Sequence, residues 1–328
     1  MMRAMYGGKF LLWAGVLFGS WGASLYAQKR HVEMFKYADM DRWMVREVKE
    51  SFVIGGEVRY LYEIAQGDTL KRNTPYKNTD SPWATSSVMA RVSGVVKTSL
   101  TVFPEKRGEG YCARLETRME HCKVLGLFNI RVLASGTIFL GEMVEPVTDT
   151  KTPQSKLVSG IPFTGRPVAL VYDYKVKTGG QCVYEPGFGH SEVRPESDMA
   201  ETSVLLQYRW EDEEGNVYAR RVATGWERFE KSEEEWQNGH RLPFHYGNIV
   251  SKPFYQSYMA LLQGERAYYT RNSKGKVVPI QEMGWAELGE EVTHIVLRMS
   301  SSNGGAYIGN TESRFWVDNV GLEYEEQE

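Results

Sequence analysis

From Val168 onward, apolar and polar residues alternate. Val168, Leu170, Tyr172, Tyr174 and Val176 share one set of positions, and Ala169, Val171, Asp173, Lys175 and Lys177 the other. A period of two over such a run is a half-buried strand, with the two sets on opposite faces. Pro167 starts it, where a missing amide donor is tolerated. Val204, Leu206, Tyr208 and Trp210 repeat the pattern, Glu211 to Asn216 turns the chain, and Val217 to Val222 returns. That predicts a hairpin over 203–222. Ile295, Leu297 and Met299 alternate with His294, Arg298 and Ser300, and Ser301 to Gly305 supplies turn chemistry. Phe315, Val317, Val320, Leu322 and Tyr324 form a last strand whose register slips by one at Asp318-Asn319, as a bulge would make it.

Upstream, Tyr111, Ala113, Leu115 and Thr117 alternate with Cys112, Arg114, Glu116 and Arg118, and Asn129 to Met143 reads as strand broken near Ser135-Gly136. One short helix is expected over Lys231 to Gln237, where Ser232 and Glu235 have the spacing of a capping box. Many short strands without a strand–helix–strand alternation predict an all-β fold, an antiparallel two-sheet β-sandwich of jelly-roll type. The Pro- and Thr-containing stretch 144–160 is the clearest surface loop.

Composition narrows the class. The chain has 328 residues, with 39 basic against 42 acidic side chains. A net charge of −3 gives none of the clustered basic surface that nucleic acid requires. Aromatic residues at 12% are too frequent for a disordered chain. At the N-terminus, Arg3 and Lys9 precede an uncharged run from Phe10 to Leu25, and small residues follow up to Ala27. This is the layout of a secretory signal peptide over 1–27, cleaved after Ala27 to leave a single domain over 28–328 without a transmembrane segment. The expected location is periplasmic, cell-surface or extracellular. Cys112 and Cys122 are spaced to cross-link neighbouring strands, but with Cys182 the count is odd, and three reduced thiols are the alternative.

No nucleophile elbow, phosphate loop, zinc-binding His pair or dinucleotide fingerprint occurs. His240 and His245 are separated by Pro243, so they do not share a helix face. Glycoside hydrolysis needs paired carboxylates. Glu116, Asp173, Glu201 and Asp318 lie on or beside predicted strands, where solvated charges are also common. Asp318, at the bulge, is placed to bond backbone amides. Alternatively it holds a structural calcium with Asp39 and Asp41, if the terminal strands are neighbours. Alternation sends Arg114 and Glu116 to one sheet face. There they line a ligand groove, with Trp83 of the polar loop Ser81-Pro82-Trp83 as its aromatic floor or wall, or form an exposed ion-pair row.

Several stretches resemble a secreted bacterial family, the putative carbohydrate metabolism domain, a β-jelly-roll. They are Tyr37–Trp43, Lys49–Ser51 with Ile54–Gly56, Ser81–Ser86, Tyr111–Thr117, Gly160–Pro167, Ser300–Gly309 and Trp316–Val320, in order along nearly the whole mature chain. The resemblance implies fold and a carbohydrate-related role, and no catalytic residue is carried over with it. Three functions remain open: a glycan-binding module, a glycoside hydrolase or lyase with paired carboxylates in a cleft, and a non-catalytic surface subunit with a cell-surface protein partner.

Export has a direct test. Intact-mass measurement of the protein recovered from its native envelope or medium is expected to show loss of the first 27 residues, and a full-length mass would refute the cleavage.

Overall fold

The computed structural model describes residues 29–124, 128–148, 151–187 and 189–326; the expected signal peptide, 1–27, lies outside them. Among the described residues the chain is all-β, with four short 3-10 turns and no α-helix. Two large sheets carry the molecule. The first has six strands. Glu233–Pro243, Ala169–Lys177, Arg314–Glu325, Gly110–Glu116 and Val102–Arg107 pair in that order, and Arg30–Met34 joins the far end of Arg314–Glu325. All its pairings are antiparallel. The bulge expected in the last strand is present: Val171 faces Gly321 but Asp173 faces Asp318, and Asn319 takes a positive φ of 51°.

The second sheet departs from an open jelly-roll layer. Ala200–Glu211 and Val217–Phe229 form the expected hairpin, extended at both ends. Val277–Trp285 joins it, followed by Tyr269–Arg271, Leu157–Ser159 and Thr137–Met143. The last of these pairs back onto His294–Ser300, which also pairs with Ala200–Glu211. The ring is therefore a closed, barrel-like sheet of seven strands. Two of its contacts are parallel, one between Val217–Phe229 and Val277–Trp285 and one between Leu157–Ser159 and Tyr269–Arg271. Closure removes the unpaired edges that an open sheet would leave.

Alternation then builds two cores. Val204, Leu206, Ile295, Leu297 and Met299 pack with Leu115, Leu170, Tyr172, Phe315 and Val317 of the six-stranded sheet, all fully buried. The intervening Leu205 and Val296 join Val217, Trp226, Leu262, Tyr268 and Ile280 on the inner surface of the ring. A strand buried on both faces is apolar at odd and even positions alike, as Val204 to Leu206 and Ile295 to Leu297 are.

The stretch expected to be helical is instead the edge strand Glu233–Pro243. Lys231 to Gln237 offers no apolar stripe for a helix to bury, whereas Ala169–Lys177 offers open backbone partners. The pairing needs two register shifts. Ser232 accepts a hydrogen bond from the Thr178 amide at 3.1 Å rather than capping a helix. All three cysteines are free thiols, and burial raises Cys112 to a pKa of about 12 and Cys182 to about 11. Cys112 and Cys122 lie on strands of different sheets.

The two sheets are joined through a fork. Arg118–Val124 and Phe128–Ala134 form an antiparallel arm whose last pair is Arg118 with Ala134. Beyond it, one strand backs into Gly110–Glu116 of the six-stranded sheet and the other runs on into Thr137–Met143 of the barrel. Gly136 sits in the crotch, where a Cβ would run into the Glu116 amide and the Thr101 carbonyl. Those two groups are bonded to each other at 2.8 Å. Gly136 also donates to Ser301 Oγ at 3.0 Å, and its carbonyl accepts the Ser301 amide at 2.8 Å. Replacing Gly136 by Ala is expected to cost about 1–3 kcal/mol through overpacking against backbone that cannot give way. Gly284→Ala is the control, since a Cβ there meets nothing within 4 Å. Thermal unfolding of both variants checks this, and an unchanged melting temperature for Gly136→Ala would refute the fork's tightness.

Candidate functional site

A cleft of about 580 Å³ opens at the barrel mouth. Its floor follows from strand register. Trp226 lies opposite Ser203 and Ser203 opposite Arg298, so three adjacent strands place these residues in one inward-facing row. The next row runs Arg228, Glu201, Ser300 and Thr137. Neighbouring strands lie about 4.8 Å apart, which sets the spacing along each row. Leu262 and Tyr268 close one side. The hairpin Val88–Val92/Val95–Ser99 and the arm supply apolar walls through Val88, Val95, Ile130 and Val132, and Asn303 to Tyr307 form part of the rim.

The side carrying Leu262 and Tyr268 is anchored from inside the ring. Arg221, fully buried, forms a bidentate pair with Glu282: Nε donates to Oε1 at 2.7 Å and Nη2 to Oε2. Glu282 also accepts from Gln207 Nε2 at 2.6 Å and from the Leu262 amide at 2.7 Å. Arg221 Nη1 reaches the Met259 carbonyl at 3.3 Å. A buried carboxylate shared this way fixes the 257–268 segment across the barrel, because freeing either partner would strand a charge in the interior. Arg209 extends the network through Gln207 Oε1 at 2.8 Å without a carboxylate of its own, and burial lowers its pKa to about 9.

The polar groups of the floor fall into two kinds. Arg228 Nε donates to Glu201 at 2.7 Å, and its guanidinium lies 4.1 Å from the Tyr258 ring centroid. In the first row, by contrast, Trp226 Nε1, Ser203 Oγ and Arg298 Nε are all buried without a hydrogen-bond partner. Native proteins leave few such groups unsatisfied, so three in one row call for an account. Glu120, on the arm, accepts the Leu100 amide at 3.1 Å, and burial raises its pKa.

The residues expected at the site are distributed differently. Trp83 is fully buried between the sheets, its Nε1 donating to the Lys36 carbonyl at 3.0 Å and its ring edge-on to Phe35. With no surface it presents no face to a ligand; the pairing of Trp83–Thr85 with the barrel strand draws it into the core. Arg114 and Glu116 do share a face, the outer face of the six-stranded sheet, away from the cleft. Arg114 is engaged by Glu105 at 2.7 Å and Glu116 at 3.1 Å, and Glu116 also meets Arg118 at 3.0 Å and Arg314 at 3.2 Å. Glu105 in turn accepts from Trp316 Nε1 at 2.9 Å. This is an ion-pair lattice, and Arg118 reaches it from the arm, since the strand breaks at Thr117.

Asp318 lies on that same outer face. It accepts from Arg107 at 2.5 Å and from the Asn319 amide at 2.8 Å, and Arg107 also meets Asp173 at 2.9 Å. The terminal strands are neighbours, but Asp39 and Asp41 do not join it: Asp41 is spent on the Tyr111 amide at 2.7 Å, and Asp39 lies against the Asp41 amide. Among the described residues no three His, Cys, Asp or Glu side chains converge as a metal site. Of the four carboxylates marked in the sequence, Glu201 alone lines the cleft. Trp226, Tyr268, Arg298 and Glu120 were not marked as site residues. Besides Glu201, the Ser300–Gly309 stretch pointed to this region but was read as turn chemistry.

The family model of the putative carbohydrate metabolism domain matches residues 57–323. The chain belongs to this family. Two solved structures resemble this family member, both described as putative glycoside hydrolases. The one from Bacteroides thetaiotaomicron has 20% identity and a TM-score of 0.41, over 70% of this chain and 59% of its own. The chain thus spans under two thirds of that protein's length. The one from Bacteroides vulgatus has 15% identity and a TM-score of 0.39, over 89% of this chain and 94% of its own. No curated protein matches it.

The Asp318 cluster carries a pH signature. Burial pushes its carboxyl up to about 6 from an ordinary value of 3.8, with Arg107 offsetting part of the rise. A raised carboxyl stabilises the fold fully below about pH 4, and that contribution is lost as pH climbs through 6. Stability of the parent protein relative to Asp318→Asn, from urea unfolding, is therefore expected to fall by about 1–3 kcal/mol between pH 4 and pH 7. A flat difference would refute this.

Proposed function

We propose that the barrel-mouth cleft binds a carbohydrate chain and that the protein acts as an exported glycan-binding member of its family. Trp226 and Arg298, which line the cleft and each carry a buried nitrogen without a hydrogen-bond partner, carry this reading. Sugars present apolar C–H faces and rings of hydroxyls. Trp226 and Tyr268, each about nine-tenths buried, reach the cleft lining and supply aromatic contact for the first. The Arg228–Glu201 pair, Ser300 and Asn303 supply charge-assisted and neutral hydrogen bonds for the second. The cleft's volume falls in the range of small-molecule sites, about 300–1,000 Å³. Export rests on the N-terminal pattern of Arg3, Lys9 and the Phe10 to Leu25 run. Among the described residues no helix is long and apolar enough to cross a membrane.

One observation favours hydrolysis as a second reading: Glu120 and Glu201 line the same cleft in unlike surroundings. Glu120 is pushed up by burial, whereas Glu201 is paired with a guanidinium. Two carboxylates in one cleft are what glycosidic cleavage uses.

A glycan array followed by calorimetry tests the first reading. Trp226→Phe, which keeps an aromatic ring, and Glu201→Gln, which is isosteric, are each expected to weaken binding by roughly tenfold, about 1.4 kcal/mol. Arg114→Ala, outside the cleft, is expected to leave affinity unchanged while lowering the melting temperature. Loss of binding in Arg114→Ala alone would overturn the location of the site. Release of new reducing ends from a bound glycan, abolished in Glu120→Gln, would replace binding by hydrolysis.

A further inference from the structure

The charges lining the cleft are unequally matched. Lys97 is paired with Glu50 at 3.0 Å and Arg228 with Glu201 at 2.7 Å. Arg266 donates to the Tyr258 carbonyl at 2.7 Å. Arg298 differs from these. Its guanidinium lies 5.0 Å from the Tyr268 ring centroid, and its Nε is buried without a hydrogen-bond partner. Lys156 and the exposed Glu265 also line the cleft. Glu120 also lines the cleft and accepts the Leu100 amide at 3.1 Å.

A half-buried guanidinium held against an aromatic ring is preorganised. Contact with the Tyr268 ring restrains it, and its planar fork matches an oxyanion with two parallel N–H bonds. Leaving such a group without an acceptor costs desolvation that a protein carboxylate or a ligand would recover. Here the neighbouring side chains in the same row are Ser203 and, beyond it, Trp226, neither of which is an acid.

We propose that Arg298 recognises a negatively charged substituent on the sugar, so that the cleft selects acidic glycans, carrying a uronate carboxylate or a sulfate ester, over neutral ones. This rests on the reading of the cleft as a glycan site. Trp226 would then take the apolar ring face, while Arg298, on the second strand over, takes the anion.

The test is an array of neutral hexose and pentose oligosaccharides, uronate oligosaccharides with their methyl esters, and sulfated oligosaccharides with their desulfated forms. The expected result is binding of acidic members at least tenfold tighter than their esterified or desulfated counterparts. Arg298→Gln should abolish that preference, bringing acidic and neutral members to equal affinity, and Arg298→Lys should keep part of it, since the charge stays but the fork is lost. Loss on methyl esterification assigns a uronate, and loss on desulfation assigns a sulfate ester. Equal binding of acidic and neutral members, or a preference that survives in Arg298→Gln, overturns the role of Arg298 while the glycan site stands. If no glycan of any class binds, the site itself falls as well.

Discussion

The architecture turns on a crowded point near residue 136. Two strands that pair as an arm must part there, one joining the six-stranded sheet and the other the barrel. Parting is possible only if the backbone of one strand presses on the backbone beside the other. Gly136 allows that contact, because it brings no Cβ against the Glu116 amide and the Thr101 carbonyl. The polar groups released where the ladder stops are taken up by short hydroxyl side chains. Ser86 Oγ reaches the Ser135 carbonyl at 3.0 Å and accepts the Thr137 amide at 2.8 Å, and Thr117 and Ser301 bond each other at 2.8 Å. Small residues meet both needs of a strand crossing, close approach and full hydrogen bonding.

The cleft is a product of that fork and of the ring's closure. The arm beyond the fork stands over the barrel mouth and becomes a wall. The ring turns one set of alternate side chains inward, so residues far apart in sequence, such as Trp226 and Arg298, come to lie on neighbouring parts of one floor. On the opposite side of the same strands, the same alternation builds the core shared with the six-stranded sheet. Wall, floor and core therefore draw on the same few strands, and a change in register would disturb all three.

The ring interior is unusual in holding charge. Arg221 and Glu282 are both essentially inaccessible, and such a pair is poor evidence of net stabilisation, since removing two ions from water offsets most of their attraction. Its consequence here is geometric. Glu282 holds Gln207 of one strand, Arg221 of another and the amide of Leu262, which ties the 257–268 segment to the wall of the barrel. The segment carries Tyr268, on whose ring Arg298 rests. The ring on which Arg298 rests is thus held through a buried ion pair inside the barrel.

Much of the fold was legible in the sequence, because strand alternation is a local signal. The strands at Ala169–Lys177 and Arg314–Glu325, the 203–222 hairpin, the break at Ser135-Gly136 and the bulge at Asp318-Asn319 all follow from patterns within a dozen residues. The short capping box at Ser232 misled for the same reason, since a cap without an apolar stripe is outweighed by an open sheet edge. The site was less legible. Alternation correctly put Arg114 and Glu116 on one face, but whether that face meets a ligand or an ion-pair lattice depends on how the neighbouring strands pair, including Arg314 from a strand almost two hundred residues away. Trp83 read as a loop residue from its Ser-Pro neighbours, and only its pairing with the barrel drew it into the core. The sequence by itself determined which side chains alternate and where the chain turns. Tertiary structure decided which side faces water, which faces the core and which faces the cleft, because that depends on the order in which distant strands pair and on whether the sheet closes.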